Sequence, residues 1–252
     1  MIIDAPVREQ LPALQRLWRV CFGDSQETVE TFFRTGFSIE RCRCVTVDDK
    51  LAAALYWLDA QCRGQKLAYL YAVGTDPAFR NRGLCQALME STHRHLAAAG
   101  YDGAVLAPEN EALFAFYGKL GYRPFGGVQY FSAEAAGEPA AMERLSGEAY
   151  AARRRKLLRP GDVIQEGPAL AWLGTYASFY AGDGFLLAAA WENGALRVQE
   201  YLGDPAVAPG ILTALGAARG QFRTPGQEPF AMYLGLSPAG AEPPGYFGLA
   251  LD

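Results

Sequence analysis

Apolar residues recur at helical spacing near the start of the chain, with Leu11, Leu14, Leu17 and Trp18 between Val7 and Val20, then Val29, Phe32 and Phe33, so two helices are predicted there. Three short runs follow, Arg43–Val47, Leu51–Leu58 and Leu67–Val73, with Asp48-Asp49-Lys50 as a turn between the first two; they read as a meander of strands. Leu84–Ala99 has the pattern of a long amphipathic helix stopped by Gly100. Gly103–Leu106 reads as a short strand, Glu111–Leu120 as a helix ended by Gly121, and Val128–Phe131 as a returning strand, so one α/β unit is expected to close by Ala133.

The stretch Ala135–Ala141 offers little apolar surface and reads as a linker. Beyond it the order partly repeats. Helices are predicted over Glu148–Leu158, Leu170–Tyr180 and Ala206–Ala218, with strands at Phe185–Trp191, Ala195–Leu202, Phe230–Leu234 and Tyr246–Leu251. Asn193-Gly194 marks a hairpin. The expected organisation is a first domain over residues 1–135, a linker at 136–145 and a second, shortened α/β domain at 146–252.

With 252 residues, half of them hydrophobic, the chain can bury a core. A net charge of -4 gives no footprint for nucleic acid or an anionic membrane, and points to a small-molecule or protein substrate. The five cysteines show no disulfide framework, and Asp4, Arg8 and Glu9 interrupt any apolar leader, so a reducing cytoplasm is the expected location.

The candidate chemistry centres on Arg80-Asn81-Arg82-Gly83-Leu84-Cys85, a basic glycine loop after an apolar strand, at a predicted helix start. Free backbone N–H groups and the positive helix end suit a pyrophosphate; Gly83 allows close approach, and both arginines can add charge-assisted hydrogen bonds. A solvated basic turn is the alternative reading.

The run YLYAVGTDPAFRNRGLCQALM, followed by APENEALFAFYGKLGYR, resembles the GCN5-related N-acetyltransferases (GNAT), whose coenzyme motif is Gln/Arg-x-x-Gly-x-Gly/Ala. The resemblance covers residues 1–133 and is strongest from Tyr69 to Arg123. Cys85 stands where that motif has a small final residue, which bears on coenzyme affinity more than on fold. The resemblance implies a mixed, mainly antiparallel GNAT sheet flanked by helices, then a GNAT-like second domain. Its implied co-substrate is acetyl-CoA, with no metal. Val73, Gly74 and Thr75 would offer backbone groups to the pantetheine arm, and Asn110 would hydrogen-bond it. Tyr117 matches the family's general acid near the coenzyme sulfur. Glu109 can act as base, directly or through water, or simply cap the next helix. The YGKLGY stretch and two-part layout are also similar to enhanced-intracellular-survival type acetyltransferases, which would make the terminal carboxylate of Asp252 the base.

His93 and His95 point in different directions on one helix and read as surface or rim residues, and Cys42 and Cys44 as small buried hydrophobes. A thiol nucleophile at Cys85 is conceivable at a helix N-terminus. Arg153-Arg154-Arg155-Lys156 reads as a solvated helix face, or as lining a groove between domains. Where a second phosphate loop would fall stands Leu202-Gly203-Asp204-Pro205-Ala206, whose aspartate disfavours a pyrophosphate, so the second half is expected to have lost coenzyme binding. The leading expectation is an amine N-acetyltransferase acting by direct transfer on a small molecule or peptide, without nucleic-acid or membrane partners and with homo-oligomerisation left open; the alternative is a non-catalytic acyl-CoA sensor or interaction module.

Overall fold

The computed structural model describes residues 1–239 and 242–251. They form two compact units: Met1–Arg123 with Met232–Pro243, and Pro124–Ala231 with the described residues after Pro243.

The first unit contains β1 (Ile2–Asp4), α1 (Leu11–Phe22), α2 (Gln26–Thr35), β2 (Cys42–Val47), β3 (Lys50–Cys62), β4 (Gln65–Thr75), α3 (Leu84–Ala98), β5 (Gly103–Leu106) and α4 (Glu111–Lys119). Helix α1 buries Leu14, Leu17 and Trp18 and ends at Gly23, whose φ of 78° suits glycine; Ser25 caps α2 by accepting from Thr28 N. Asp48 and Asp49, both at positive φ, make the tight β2–β3 turn. The strands pair in the order β1-β2-β3-β4-β5, antiparallel except for β4 with β5. Between the sheet and helices α3 and α4 lies a core that includes Leu55, Trp57, Leu88, Met89 and Leu96, where each fully buried side chain contributes about 2 kcal/mol.

The second unit contains β6 (Arg123–Glu134), whose first residue ends the first unit, then β7 (Met142–Leu145), α5 (Gly147–Leu157), β8 (Ile164–Gln165), α6 (Pro168–Leu173), β9 (Ser178–Gly182), β10 (Phe185–Glu192), β11 (Ala195–Leu202), α7 (Ala208–Leu215) and β12 (Arg219–Pro225). The last strand, β13 (Glu228–Gly235), begins in this unit and ends in the first. The main strands pair as β7-β9-β10-β11-β12-β6, antiparallel except for β11 with β12. Counting β13, which pairs with β5, and leaving out the two-residue β8, the main strand order of each unit thus runs over six described strands with its one parallel pair at the fourth and fifth positions.

Several expectations change. The strand expected to close the first unit pairs instead with β12, from Val128↔Pro225 to Glu134↔Arg219. Its place beside β5 is taken by Met232–Gly235. Tyr233 lies over Gly103, where a Cβ would collide with the phenol ring. The expected helix at 170–180 stops at Leu173, and Ser178–Gly182 alternates buried and less buried residues as a strand. The expected helix at 206–218 ends at Leu215, and the polar stretch after it is β12. The tail after Tyr246 is buried without being a strand: Tyr246 O accepts from Val163 N, Leu249 O from Gln165 and Ala250 O from Arg223. Within the expected linker, Ala136 N and Ala140 N bond to Pro209 O and Gly210 O of α7, and β7 follows at Met142.

The basic run on α5 is split by burial. Arg153 and Arg155 pair with Glu143 and Glu166 at the surface, whereas Arg154 is buried and forms a bidentate bridge with Glu200 at 2.6 and 2.8 Å, joined by Tyr150. The guanidinium holds the Glu200 carboxyl below its ordinary range despite the opposing effect of burial. Among the described residues no helix is long and apolar enough to cross a membrane.

Candidate active site

Strand β4 carries the site's first feature. Its antiparallel pairing with β3 runs regularly to Tyr56↔Tyr71, then slips, resuming at Ala54↔Gly74. The extra residue is accommodated by Ala72 at φ 48°, a β-bulge that re-aims the strand. On the other side, parallel pairing with β5 stops at Tyr69↔Val105. Past that point Val73, Gly74 and Thr75 have no registered partner on the β5 side, and their backbone groups can serve a ligand.

The chain then turns at Asp76-Pro77, where Asp76 caps a 3-10 turn over Pro77–Phe79. The loop that follows uses two left-handed residues, Asn81 at φ 60° and Gly83 at φ 73°. A Cβ on Gly83 would meet nothing within 4 Å, so glycine here serves the backbone conformation and leaves open space before the helix. Helix α3 starts at Leu84, and its first N–H to C=O bond runs from Ala87 to Gly83 at 3.0 Å. The amides of Leu84, Cys85 and Gln86 therefore have no acceptor within the helix. Both loop arginines fold back: Arg80 Nε donates to Thr75 O, while Arg82 donates to Ala78 O and stacks on the Phe79 ring.

Cys85 points inward against Thr75, and burial pushes its thiol up to about 11. That overturns the idea of a nucleophilic thiol: burial dominates at this helix N-terminus and keeps the sulfur protonated. Tyr117 on α4 lies in the same cluster, 7% exposed, its hydroxyl pushed well above its ordinary value by burial, with Cys85 close enough to add to the shift. Among the described residues that hydroxyl has no hydrogen-bond partner.

Asn110, not Glu109, caps α4, its Oδ1 accepting from Leu113 N at 3.1 Å. Glu109 is exposed in the bend beyond β5. His93 is half-buried and His95 exposed, in keeping with a rim and a surface position on one helix. His93 bonds the Tyr122 hydroxyl at 2.8 Å, and burial depresses it to about 4. Cys42 and Cys44 are buried free thiols. Asp252, the alternative base, lies outside the described residues.

The sequence reading missed Cys21 and Phe22 of α1, which press against Gly74: a Cβ there would stand 3.0 Å from Cys21 Sγ and 3.3 Å from the Phe22 ring. The one available signal was the spacing of Trp18 and Phe22 by one helical turn.

A parallel strand pair thus parts beside a glycine-led helix start, with a buried tyrosine on the same face. Residues 4–125 match the family model for the acetyltransferase (GNAT) domain, and the chain carries such a domain. No curated protein matches it in sequence. Among solved structures it is similar to a GCN5-related N-acetyltransferase from Anabaena variabilis (TM-score 0.73, 18% identity, 94% of this chain and 73% of that one). Eis1 from Mycobacterium abscessus is also similar (0.67, 12%, 94% and 74%), as is a putative acetyltransferase from Pyrococcus horikoshii (0.62, 17%, 98% and 93%). At these identities the likeness is one of fold.

Proposed function

We propose that this chain is an N-acetyltransferase that moves an acetyl group from acetyl-CoA to a primary amine of a small molecule or peptide in one direct step. The observation that carries the reading is the parting of β4 from β5 immediately before the open N-terminus of α3. Amides of Leu84, Cys85 and Gln86, with Arg80, Asn81, Arg82 and Gly83 around them, suit the pyrophosphate. The backbone of Val73, Gly74 and Thr75, apart from the Thr75 carbonyl that Arg80 occupies, suits the pantetheine arm, and the Asn110 amide N–H groups remain for the same arm.

In the reaction the amine nitrogen attacks the thioester carbonyl carbon, a C–N bond forms, the C–S bond breaks and the thiolate takes a proton. Tyr117 is the donor of that proton: burial keeps its hydroxyl protonated, and no neighbour claims it. Glu109 receives the proton lost by the attacking amine, directly or through water, and its exposure gives the weaker geometric support of the two. The free thiols fit a reducing cytoplasm. The second unit, on this reading, binds no coenzyme.

Titration calorimetry with acetyl-CoA, paired with turnover of Tyr117→Phe, tests this. One coenzyme per chain is expected, with kcat reduced about 100-fold in the variant and coenzyme affinity unchanged. Binding without Tyr117-dependent release of coenzyme A would favour a sensor.

A further inference from the structure

We infer that the acceptor is a compact aryl-alkyl amine whose apolar body rests on Phe22 and Tyr71; this builds on the acetyl-transfer reading above. The two faces of the first unit's sheet differ in kind. Leu70 and Val73 of β4 pack on the α3 and α4 side, with Cys85 and Tyr117. Tyr69 and Tyr71 of the same strand lie on the α1 and α2 side: Tyr71 is 5.6 Å from both Trp18 and Phe32, and Tyr69 is 6.0 Å from Tyr71. Gly74 belongs to this second side, because the space its missing Cβ would occupy borders Cys21 and Phe22.

On the acetyl-transfer reading the coenzyme arm runs along Val73, Gly74 and Thr75, which brings its acyl end within reach of Gly74, whose other side borders Cys21 and Phe22 at the end of α1. The wall there is aromatic and firmly held. Phe22 is 46% exposed, and its ring lies edge-on to Trp18 at 5.8 Å. Trp18 is itself fixed by a 2.7 Å bond from its indole nitrogen to Asp24. Tyr71 is only partly buried. A rigid, half-exposed aromatic ring beside a reacting centre gains free energy when an apolar body covers it, and an incoming ammonium is attracted to ring faces before it loses its proton.

The charges argue the same way. Arg80 and Asp76 act with opposite sign on the Cys21 thiol, which burial keeps raised and therefore neutral. Asp24 is engaged by Trp18. With Arg80 and Asp76 offsetting one another, the Asp24 carboxylate is left as a single negative charge already engaged by the indole, too small a field to concentrate a polycation.

Steady-state turnover at saturating acetyl-CoA, with 2-phenylethylamine and spermidine as competing acceptors, tests the inference. Phenylethylamine should be preferred at least about tenfold in kcat/KM, and Phe22→Ala should raise its KM about tenfold without changing acetyl-CoA affinity. Phe22→Leu should restore most of the loss. Equal or better use of spermidine, or an unaffected KM in Phe22→Ala, overturns the inference. Turnover of spermidine alone would remove this inference and leave acetyl transfer standing; turnover of neither amine by a protein that binds acetyl-CoA would remove both.

Discussion

Asp76-Pro77 after β4 and Asp204-Pro205 after β11 open the same 3-10 turn, with Asp76 Oδ1 accepting from Ala78 N at 2.8 Å and Asp204 Oδ1 from Ala206 N at 2.9 Å. Both strands slip register against their antiparallel neighbour, β4 between Tyr71 and Gly74 and β11 between Val198 and Glu200, and both part from their parallel partner just before the slip, β4 at Tyr69↔Val105 and β11 at Val198↔Phe222. From there the two regions diverge. In the first unit Arg80–Gly83 separate the turn from the helix, whereas in the second Val207 ends the turn and Ala208 begins α7 directly. Beyond the last β11–β12 pair, Arg223 fills the opening, donating to Gln199 O at 2.7 Å and to Ala250 O at 3.3 Å. Asp204 is thus a capping residue, and an omitted loop together with an occupied gap accounts for the missing coenzyme features better than its charge does. Strand order and bulge are scaffold; an inserted loop and an open gap make a site.

The sharpest way to break this comparison is to remove Arg80–Gly83, so that the first unit copies the direct connection of the second. Acetyl-CoA affinity should fall by about 1,000-fold or more by calorimetry, since on the proposed reading the loop that opens space before the amides of Leu84, Cys85 and Gln86 is lost. Next in size, Glu200→Gln should destabilise the second unit by about 3 kcal/mol in urea unfolding by leaving the buried Arg154 charge uncompensated, with coenzyme stoichiometry unchanged. Acid should separate the units more gently. His93 has a folded value near 4 against an ordinary 6.5, so between those values the unfolded chain gains a proton that the folded one refuses. Stability of the first unit should therefore drop, by on the order of 2 kcal/mol, as pH falls through that window. Glu200, held below its ordinary 4.5, keeps its contribution until lower pH. Hydrogen exchange from pH 7 to 4 should show the first unit loosening before the second. The smallest effect is expected for Glu109→Gln, a loss of less than about tenfold in kcat, because water can reach the same exposed position.

Most of the first unit was legible in the sequence. Gly103–Leu106, Gly100 after α3 and the loop at Gly83 follow from local signals, namely a short apolar run and glycines at positive φ. What escaped depends on distant partners. Arg219–Pro225 is too polar to read as a strand, and Arg223 is buried there only because Gln199 and Ala250 accept from it. Tyr246–Leu251 is apolar enough to suggest a strand, yet side chains of Gln165 and Arg223 satisfy its carbonyls in place of a neighbouring strand. In the site, Tyr117 and the loop could be named from pattern, whereas the approach of Cys21 and Phe22 to Gly74 is a tertiary fact.

The exchange of sheet-edge strands has a consequence for how the protein is made. When a ribosome has released the chain as far as α4, the first sheet still ends at β5, and the segment that covers that edge, Met232–Gly235, has yet to be synthesised. The strand that emerges next, β6, belongs with β12 of the later unit. A nascent first unit therefore waits with an unpaired edge, exposed to wrong pairings, until Met232–Gly235 has appeared, so completion of the first unit is coupled in time to synthesis of its neighbour.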